Sequence, residues 1–412
     1  MLSSSSGTAQ RVAVNGLLVC CGVLIVVFGV LVADRAIGAY HNSRGTGSSI
    51  VYPANTQRIF TTSEYEYVVS INSLGFRDRE FGKKDSGVYR IVALGDSFTW
   101  GMGVSAEKSW PKVLEALLRE ERPNVEIANL GQGGAFPQRY ADIAQDAVPT
   151  LVPDMIIVAV LQGDDLMQSN QGSDSVPWQL KTDAFFTQSW VGDDREQNGL
   201  RQPLMRLYPN IMRAVSERRA RDMGPVLAAQ RENLLNSLDA KKKDQLYSLP
   251  RTILGAFLDG NLNPSLIGLA LRKPSYFFDA SDLSNPQTAL RIDHMGYHMK
   301  RLQILADEND SDIVVISVPF GAYVSRRSYD SYSQMGFQLE PRLLASREAD
   351  ESIEMACSRA GLPFFSVTDE FRESAETTQL FFTLDGHLND AGHALFAKSV
   401  KPIIDGFVSS RQ

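Results

Sequence analysis

The chain has 412 residues, of which 43% are hydrophobic and 22% charged, and its formal net charge is −7. This length and apolar content suffice for one large α/β domain with additions. The acidic balance argues against nucleic-acid binding, and we interpret the basic clusters at residues 218–221 and 241–243 as solvated helix faces. Only Cys357 lies outside the apolar N-terminal segment, so cysteine usage does not indicate a redox compartment.

An apolar segment near the N-terminus is long enough to cross a membrane. Residues 12–33 are almost continuously apolar, with Asn15 as the one strongly polar member, and about 20 such residues span a bilayer. A cleaved signal peptide is the alternative, but the apolar core of a signal peptide usually runs about 7–15 residues. The sequence therefore favours an uncleaved transmembrane helix at 12–33, preceded by a tail at 1–11.

The segment at residues 34–60 is interpreted as a linker. Much of it is rich in small and polar residues, a composition typical of flexible tethers. We expect it to hold a domain at residues 61–412 away from the membrane.

Apolar, β-branched runs in this domain predict five strands. They lie at residues 91–94, 125–129, 155–160, 312–318 and 363–367. Helical stretches separate them, and a helix beginning at residue 390 closes the pattern. Strands that alternate with helices predict a three-layer α/β/α sandwich with a parallel sheet.

Residues 168–295 interrupt this alternation and are interpreted as a helical insertion between the third and fourth strands. Apolar residues recur there at helical spacing, namely Leu204, Leu207, Ile211 and Val215, and again Leu266, Leu269 and Leu271. An insertion at this point emerges at the carboxyl ends of the strands, so we interpret it as a cap over a substrate cleft. A packing subdomain without substrate contact and a surface facing the membrane are the two alternatives.

A serine follows the first predicted strand of the sheet. Gly95, Asp96 and Ser97 come directly after it, which puts the serine hydroxyl at the edge where open α/β sheets bind ligands. Near the C-terminus, Asp385 precedes His387 by two positions. Serine, histidine and aspartate are the parts of an acyl-transfer triad, which is defined by geometry rather than by spacing along the chain.

Each of these signals also has an ordinary structural explanation. Gly-Asp-Ser, Asp385-Gly386 and the glycine cluster at 131–134 are common turn compositions. A single histidine is more often a surface or core residue than a catalytic base. The order of several such signals along one chain is what favours a catalytic site.

In this order the blocks resemble those of the SGNH (GDSL) hydrolase family. The nucleophile block matches at 95–97, the glycine block at 129–134 and the histidine block at 385–387, and the resemblance covers roughly residues 70–170 and 300–410. The resemblance implies that Ser97 is the nucleophile, His387 the base and Asp385 its orienting carboxylate. It also implies that the N–H groups of Ser97 and Gly134 bind the oxyanion, and that no cofactor or metal takes part.

Two positions depart from the family's usual pattern. Asp164 stands where an asparagine usually donates a hydrogen bond to the oxyanion. An ionised carboxylate only accepts hydrogen bonds, so Asp164 contributes to the oxyanion site only if its surroundings keep it protonated. The acid also precedes the histidine by two residues rather than three, which is similar to members linked to bacterial polysaccharide O-acetylation.

Other chemistries fit the sequence less well. The segment at residues 101–106 matches a dinucleotide-binding pattern, but it does not follow its strand directly as that motif must. His294 and His298, four residues apart and preceded by Asp293, are the alternative for a metal site, and no further matched ligand accompanies them.

The sequence thus predicts a membrane-anchored serine esterase or acyltransferase that acts on an acyl ester at the cell envelope. The charge bias across the apolar segment is slight, but the short N-terminal tail and the resemblance favour an extracytoplasmic catalytic domain. That location favours a glycan O-acetyl ester as substrate, whereas the acyl acceptor, the acyl length and the oligomeric state are left open. The alternative, motivated by Asp164, is a catalytically inactive envelope protein that binds a glycan or a protein partner.

Overall fold

A computed structural model describes residues 5–43, 50–169, 207–208 and 221–410 of the chain. The chain divides into two compact units, residues 1–48 with 192–219 and residues 49–191 with 220–412. One long helix makes up most of what is described of the first unit, and the second unit contains the sheets and the candidate site.

The long helix is Ser5–Ser43. Its stretch Val14–Ala36 is long and apolar enough to cross a membrane. Large apolar side chains such as Leu24 and Phe28 are exposed on it, and a helix that is apolar on all sides is typical of a membrane span. The helix fits a single-pass membrane protein or a signal sequence, and it extends beyond the predicted 12–33 at both ends.

The described residues of the second unit form two sheets. Their strands are β1 (Gln57–Thr61), β2 (Glu66–Ser70), β3 (Tyr89–Leu94), β4 (Val125–Asn129), β5 (Met155–Leu161), β6 (Arg221–Asp222), β7 (Asp312–Val318) and β8 (Phe364–Ser366). The larger sheet is parallel throughout, in the order β4-β3-β5-β7-β8. The smaller sheet has the order β2-β1-β6. The five predicted strands are confirmed as the parallel sheet, and its strands are apolar runs because a parallel sheet is buried on both faces.

Helices cover both faces of the parallel sheet. Successive residues of β3 belong to different core clusters, Ile91 to one and Val92 to the other, because side chains alternate across a strand. One cluster is completed by the helices Trp110–Arg119 and Asp390–Ser410, and the other by Pro137–Leu151, Pro286–Glu308 and Glu348–Ala360. The predicted three-layer α/β/α architecture is therefore confirmed.

Shorter helices lie in the connections between these elements. They are Ser97–Trp100, Asp164–Gln168, Gly321–Val324, Arg326–Gln334 and Thr368–Ala375, with 3₁₀ turns at Ala106–Lys108 and Pro341–Leu344. The first two follow β3 and β5, so their N-termini lie at the carboxyl edge of the sheet.

Two described elements overlap the ends of the predicted linker at 34–60. The N-terminal helix continues to Ser43, and strand β1 begins at Gln57. Strands β1 and β2 form an antiparallel hairpin in which Ile59 pairs with Val68. Buried and exposed residues alternate along β2, so the hairpin has one face against the domain.

The described part of the predicted insertion is mostly helical. Its helices are Gly224–Ser237, Ala240–Tyr247, Arg251–Leu258, Pro264–Arg272 and Tyr276–Ser281, and the helix Pro286–Glu308 begins within it. The short strand β6 also belongs to it and pairs with β1, which the sequence did not predict. The predicted apolar positions Leu204, Ile211 and Val215 lie outside the described residues.

Candidate active site

Ser97 lies at the carboxyl edge of the parallel sheet. Strand β3 ends at Leu94, and the helix Ser97–Trp100 begins three residues later. Asp96 caps this helix, because its side chain accepts a hydrogen bond from the Phe98 N–H at 2.9 Å. The cap fixes Ser97 as the first residue of the helix, and Ser97 lines a pocket at this edge.

Three residues that are far apart in the chain are in hydrogen-bonding contact. The Nε2 atom of His387 lies 2.6 Å from the Oγ atom of Ser97, and its Nδ1 atom is hydrogen bonded to the Oδ1 atom of Asp385. The Phe98 ring lies against the imidazole, with 4.7 Å between centroids. The structure thus brings the predicted serine, histidine and aspartate together in the arrangement that lets a histidine take a proton from a serine hydroxyl.

His387 and Asp385 each stabilise the charged form of the other. Burial lowers the pKa of His387, but the neighbouring Asp385 carboxylate outweighs burial, so the net pKa lies above its ordinary value. Burial also opposes ionisation of Asp385, yet His387 and the Tyr65 hydroxyl hold the pKa of Asp385 below its usual range. Asp385 is therefore an ionised partner that stabilises the imidazolium.

The loop that carries Asp385 and His387 is a tight turn closed by its own backbone. Phe381 and Leu388 form an antiparallel bridge. At Gly386, φ is +84°, and a Cβ atom there would lie 2.2 Å from the Tyr332 hydroxyl. Because both the backbone conformation and the space exclude a side chain, glycine is needed at this position.

Sequence reasoning missed two residues that contact this loop, Glu64 and Tyr65. They lie in the turn between β1 and β2. The Glu64 carboxylate accepts hydrogen bonds from the backbone N–H groups of Thr383, Leu384 and Asp385, at 2.6, 3.0 and 2.9 Å. The Tyr65 hydroxyl donates to Asp385 Oδ2 at 2.8 Å. The alternating pattern of β2 could have indicated a strand, but it carries no signal for the contact with this loop.

Gly134 lies on the wall of the same pocket as Ser97. Its φ of +71° is in the left-handed region, and the N–H of the preceding Gly133 donates to the Tyr52 hydroxyl at 3.0 Å. This contact fixes the glycine turn beside the nucleophile. The role of the Gly134 N–H as an oxyanion donor stays a prediction.

Asp164 also lines the pocket, and both of its carboxylate oxygens have partners. The Tyr276 hydroxyl lies 2.7 Å from Oδ1, and the Gln168 amide donates to Oδ2 at 2.8 Å. Burial raises the pKa of Asp164 above its ordinary value, although these two hydrogen bonds oppose the rise. Its contribution to the oxyanion site stays a prediction, since a protonated Asp164 is needed for it.

Two more buried carboxyl groups lie near the nucleophile. Burial raises the pKa of Asp96 to about 7. Burial and the nearby Asp96 and Asp164 raise the pKa of Asp165 well above its ordinary value, even though Asp165 accepts hydrogen bonds from the Tyr140 hydroxyl and the Leu161 N–H. Burial of these acids therefore opposes the build-up of negative charge beside His387.

A cavity of about 190 Å³ opens beside Ser97 and His387. Its wall includes apolar side chains from the sheet edge, such as Phe98 and Phe320. The described part of the insertion supplies further apolar wall residues, namely Leu227, Leu266, Leu269 and Phe277. Residues of the insertion therefore line the candidate site.

The alternative metal site lies on the helix Pro286–Glu308. His298 lies 3.3 Å from Arg301 there, and burial together with Arg301 lowers the pKa of His298 to about 4. Asp293 pairs with Arg359. Within the described ranges, no three His, Cys, Asp or Glu side chains are grouped as metal ligands.

A family model described as GDSL-like Lipase/Acylhydrolase matches residues 91–260. The match begins in β3 and includes Ser97, Gly134 and Asp164, and it ends before the histidine block. None of the curated proteins compared with the chain by sequence matches it.

Several solved structures are similar to the chain at low identity. A lipase/acylhydrolase from Enterococcus faecalis is 10% identical, with 77% of this chain and 96% of that chain covered and a TM-score of 0.36. An acetylxylan esterase from Geobacillus stearothermophilus is 12% identical, with 78% and 96% covered and a TM-score of 0.37. A two-domain esterase active on acetylated mannans is 12% identical, with 77% and 49% covered and a TM-score of 0.34.

The assignment rests on the family model and on the parallel α/β fold rather than on these distant structural likenesses. The chain contains a GDSL-like lipase/acylhydrolase domain and is an ester hydrolase of the GDSL (SGNH) type, as the sequence predicted.

Proposed function

We propose that the chain is a membrane-anchored serine esterase that cleaves an acyl ester through Ser97, His387 and Asp385. The observation that carries this proposal is the 2.6 Å contact between His387 Nε2 and Ser97 Oγ, with Asp385 on the other imidazole nitrogen. The apolar stretch Val14–Ala36 supports the anchor. No cofactor or metal is needed for this chemistry.

In the first half of the reaction, Ser97 Oγ attacks the acyl carbonyl carbon while His387 Nε2 takes the hydroxyl proton. Asp385 holds the imidazole tautomer and stabilises the imidazolium that forms. The backbone N–H groups of Ser97 and Gly134 receive the negative charge on the carbonyl oxygen. The carbon–oxygen bond to the alcohol then breaks, and His387 gives its proton to the departing alcohol.

In the second half, water takes the place of the alcohol. His387 removes a proton from the water as the water oxygen attacks the acyl-serine carbonyl carbon. The bond to Ser97 Oγ breaks, and the proton returns to the serine. A sugar hydroxyl in place of the water would make the same site an acyltransferase, with the acyl group transferred instead of released as acid.

We assign the substrate to the cell envelope, with a glycan O-acetyl ester as the favoured class and the catalytic domain outside the cytoplasm. The support for this location is the N-terminal helix together with the short polar segment that precedes its apolar stretch. The insertion is assigned as the cap of the substrate cleft, because four of its apolar side chains line the pocket beside Ser97.

The test uses the full-length protein and the variant Ser97→Ala. Wild type should be labelled by a fluorophosphonate probe and should hydrolyse a short-chain aryl ester, because both reactions need an activated serine. The alanine variant should lose the labelling and the turnover while keeping its thermal unfolding transition. Turnover that survives the substitution would remove Ser97 from its assigned role.

The second candidate is a catalytically inactive protein that uses the same pocket to bind a glycan or a protein partner. Asp164 favours it, because both carboxylate oxygens already have partners and an ionised Asp164 would repel an oxyanion. Folded wild-type protein that resists the fluorophosphonate probe at neutral pH would favour this candidate over the esterase.

A further inference from the structure

The turn between β1 and β2 contacts the loop that carries the general base. Glu64 accepts hydrogen bonds from three consecutive backbone N–H groups, those of Thr383, Leu384 and Asp385. Successive N–H groups that converge in this way form a concave site for an anion. In this chain the anion is a side chain from a hairpin more than 300 positions earlier in the sequence.

Other contacts hold different groups of this loop, such as the Thr383 carbonyl, which accepts a hydrogen bond from the Ser331 hydroxyl at 2.6 Å. Its stem is closed by the bridge between Phe381 and Leu388, and the Phe382 N–H donates to the His387 carbonyl at 2.9 Å. The three N–H groups at the tip lie beyond this stem. Glu64 satisfies them together, so the carboxylate fixes the backbone that carries Asp385.

Tyr65 contacts the side chain of Asp385. Its hydroxyl donates to Asp385 Oδ2 at 2.8 Å, whereas Asp385 Oδ1 faces His387 Nδ1. Each carboxylate oxygen therefore has its own partner, which fixes the rotation of the carboxylate. The Tyr65 ring is itself packed edge-on against Phe382 and Tyr67, with centroid distances of 5.1 and 5.5 Å.

We propose that Glu64 and Tyr65 are positioning residues of the esterase: Glu64 holds the backbone of the histidine loop, and Tyr65 holds the Asp385 carboxylate against His387. Neither residue contacts the reacting atoms. The inference rests on the proposed function, because it assigns both residues to the orientation of the general base. Contacts that orient the ligands of a metal site typically change activity by about 10–100-fold when removed, and we expect effects of similar size from contacts that orient a general base.

The tests are Glu64→Ala and Tyr65→Phe in the full-length protein. We expect Glu64→Ala to lower kcat by about 100-fold and Tyr65→Phe by about tenfold, with KM nearly unchanged in both, since a small misplacement of a catalytic group has effects of this size. Glu64→Gln should retain more activity than the alanine variant, because its amide oxygen still accepts hydrogen bonds from the loop.

Two variants are matched controls. Tyr329→Phe removes a tyrosine hydroxyl that donates to the Leu339 carbonyl rather than to Asp385, and Glu66→Gln removes an exposed carboxylate on the same hairpin as Glu64. Both control variants should keep kcat within about twofold of wild type, since neither touches the loop.

The pH profile of kcat/KM separates positioning from simple loss of folded protein. Asp385 raises the pKa of His387, so a loop that no longer holds Asp385 in place lets that pKa fall. The neutral base then persists to lower pH, and the acid limb of Glu64→Ala should move to lower pH. A purely structural defect lowers the amplitude of the profile and leaves the limb where it is.

The outcomes also separate this inference from the proposed function. Wild type that is inert to the fluorophosphonate probe would overturn both. Wild type that is active through Ser97, with Glu64→Ala and Tyr65→Phe as active as the two controls and with an unmoved acid limb, would overturn the positioning role alone.

Discussion

The two halves of the candidate site are held by different means. The Ser97 half depends on the end of β3, on the Asp96 cap, and on the glycine turn at 131–134, which packs against the helix Ser97–Trp100. The half that carries Asp385 and His387 is a loop whose tip is held by the β1–β2 turn. The nucleophile should therefore tolerate loss of the contacts from the β1–β2 turn, whereas the general base should not.

The largest effect is expected at Asp385, in the half of the site that carries the general base. Asp385→Asn should lower kcat by about 10⁴-fold, because the amide no longer stabilises an imidazolium at His387 and favours the wrong imidazole tautomer. The measurement is kcat for an aryl ester, with circular dichroism to show that the fold is kept. A variant that retains a tenth of the wild-type kcat would show that Asp385 is not the orienting carboxylate.

The next largest effect is expected at Gly386. Alanine there meets the Tyr332 hydroxyl and must adopt a φ of +84°, so we expect the unfolding free energy to drop by about 1–3 kcal/mol and kcat by about 100-fold. Gly87→Ala is the matched control, because Gly87 has a φ of +89° but open space around it. Gly87→Ala should lower the unfolding free energy because of backbone strain, and it should leave kcat unchanged.

A second substitution tests whether the clash matters. Tyr332→Phe removes the hydroxyl that the alanine would meet, so the double variant should recover part of the activity that Gly386→Ala loses. An equal loss in the single and double variants would leave backbone strain as the sole cause.

The sequence predicts the reacting residues of the site better than the residues that hold the Asp385–His387 loop. Ser97 and the glycine turn were predictable, because short apolar strands followed by Gly, Asp and Ser encode strand-to-helix turns locally. His387 and Asp385 were predictable as residue types in a known order. Glu64 and Tyr65 were not, because their role exists only once β1 and β2 pack against a loop more than 300 residues away, and nothing in either segment alone indicates that contact.

The fold, too, was only partly predictable from the sequence. The five parallel strands were predictable because strands buried on both faces are continuous apolar runs. Strand β1 is short, and exposed and buried residues are mixed along it, so it lacks the continuous apolar run that marks the strands of the parallel sheet. The two-residue strand β6 is too short to leave any periodic signal.

A smaller effect is expected in the nucleophile half. Asp96→Ala removes the cap from the helix Ser97–Trp100 and should lower the unfolding free energy by about 0.5–2 kcal/mol. Asp96→Asn keeps an oxygen that accepts from the Phe98 N–H, so its loss should be smaller than that of alanine. Equal losses would show that the carboxyl group acts through its charge rather than through the cap.

The pH dependence of the wild type follows from the state of His387. The base must be neutral to take the Ser97 proton, so kcat/KM should rise with pH through the pKa of His387. That pKa is raised from the ordinary value of 6.5, so the acid limb should lie above pH 6.5 and move to lower pH in Asp385→Asn. An acid limb at or below the ordinary value would contradict an ionised Asp385 beside the imidazole.

The smallest expected change concerns Asp164, and it tests how the oxyanion is bound. A protonated Asp164 donates a hydrogen bond, and burial raises its pKa, so activity should fall as pH rises through that pKa. Asp164→Asn replaces the titrating group with a permanent amide donor and should flatten the alkaline limb while holding or raising kcat. The amide oxygen can still accept from Tyr276 or Gln168, so one of the two present contacts survives. A drop in kcat across the whole pH range would instead assign Asp164 to fixing Tyr276 and Gln168 in the pocket wall, and would leave the backbone N–H groups as the proposed oxyanion donors.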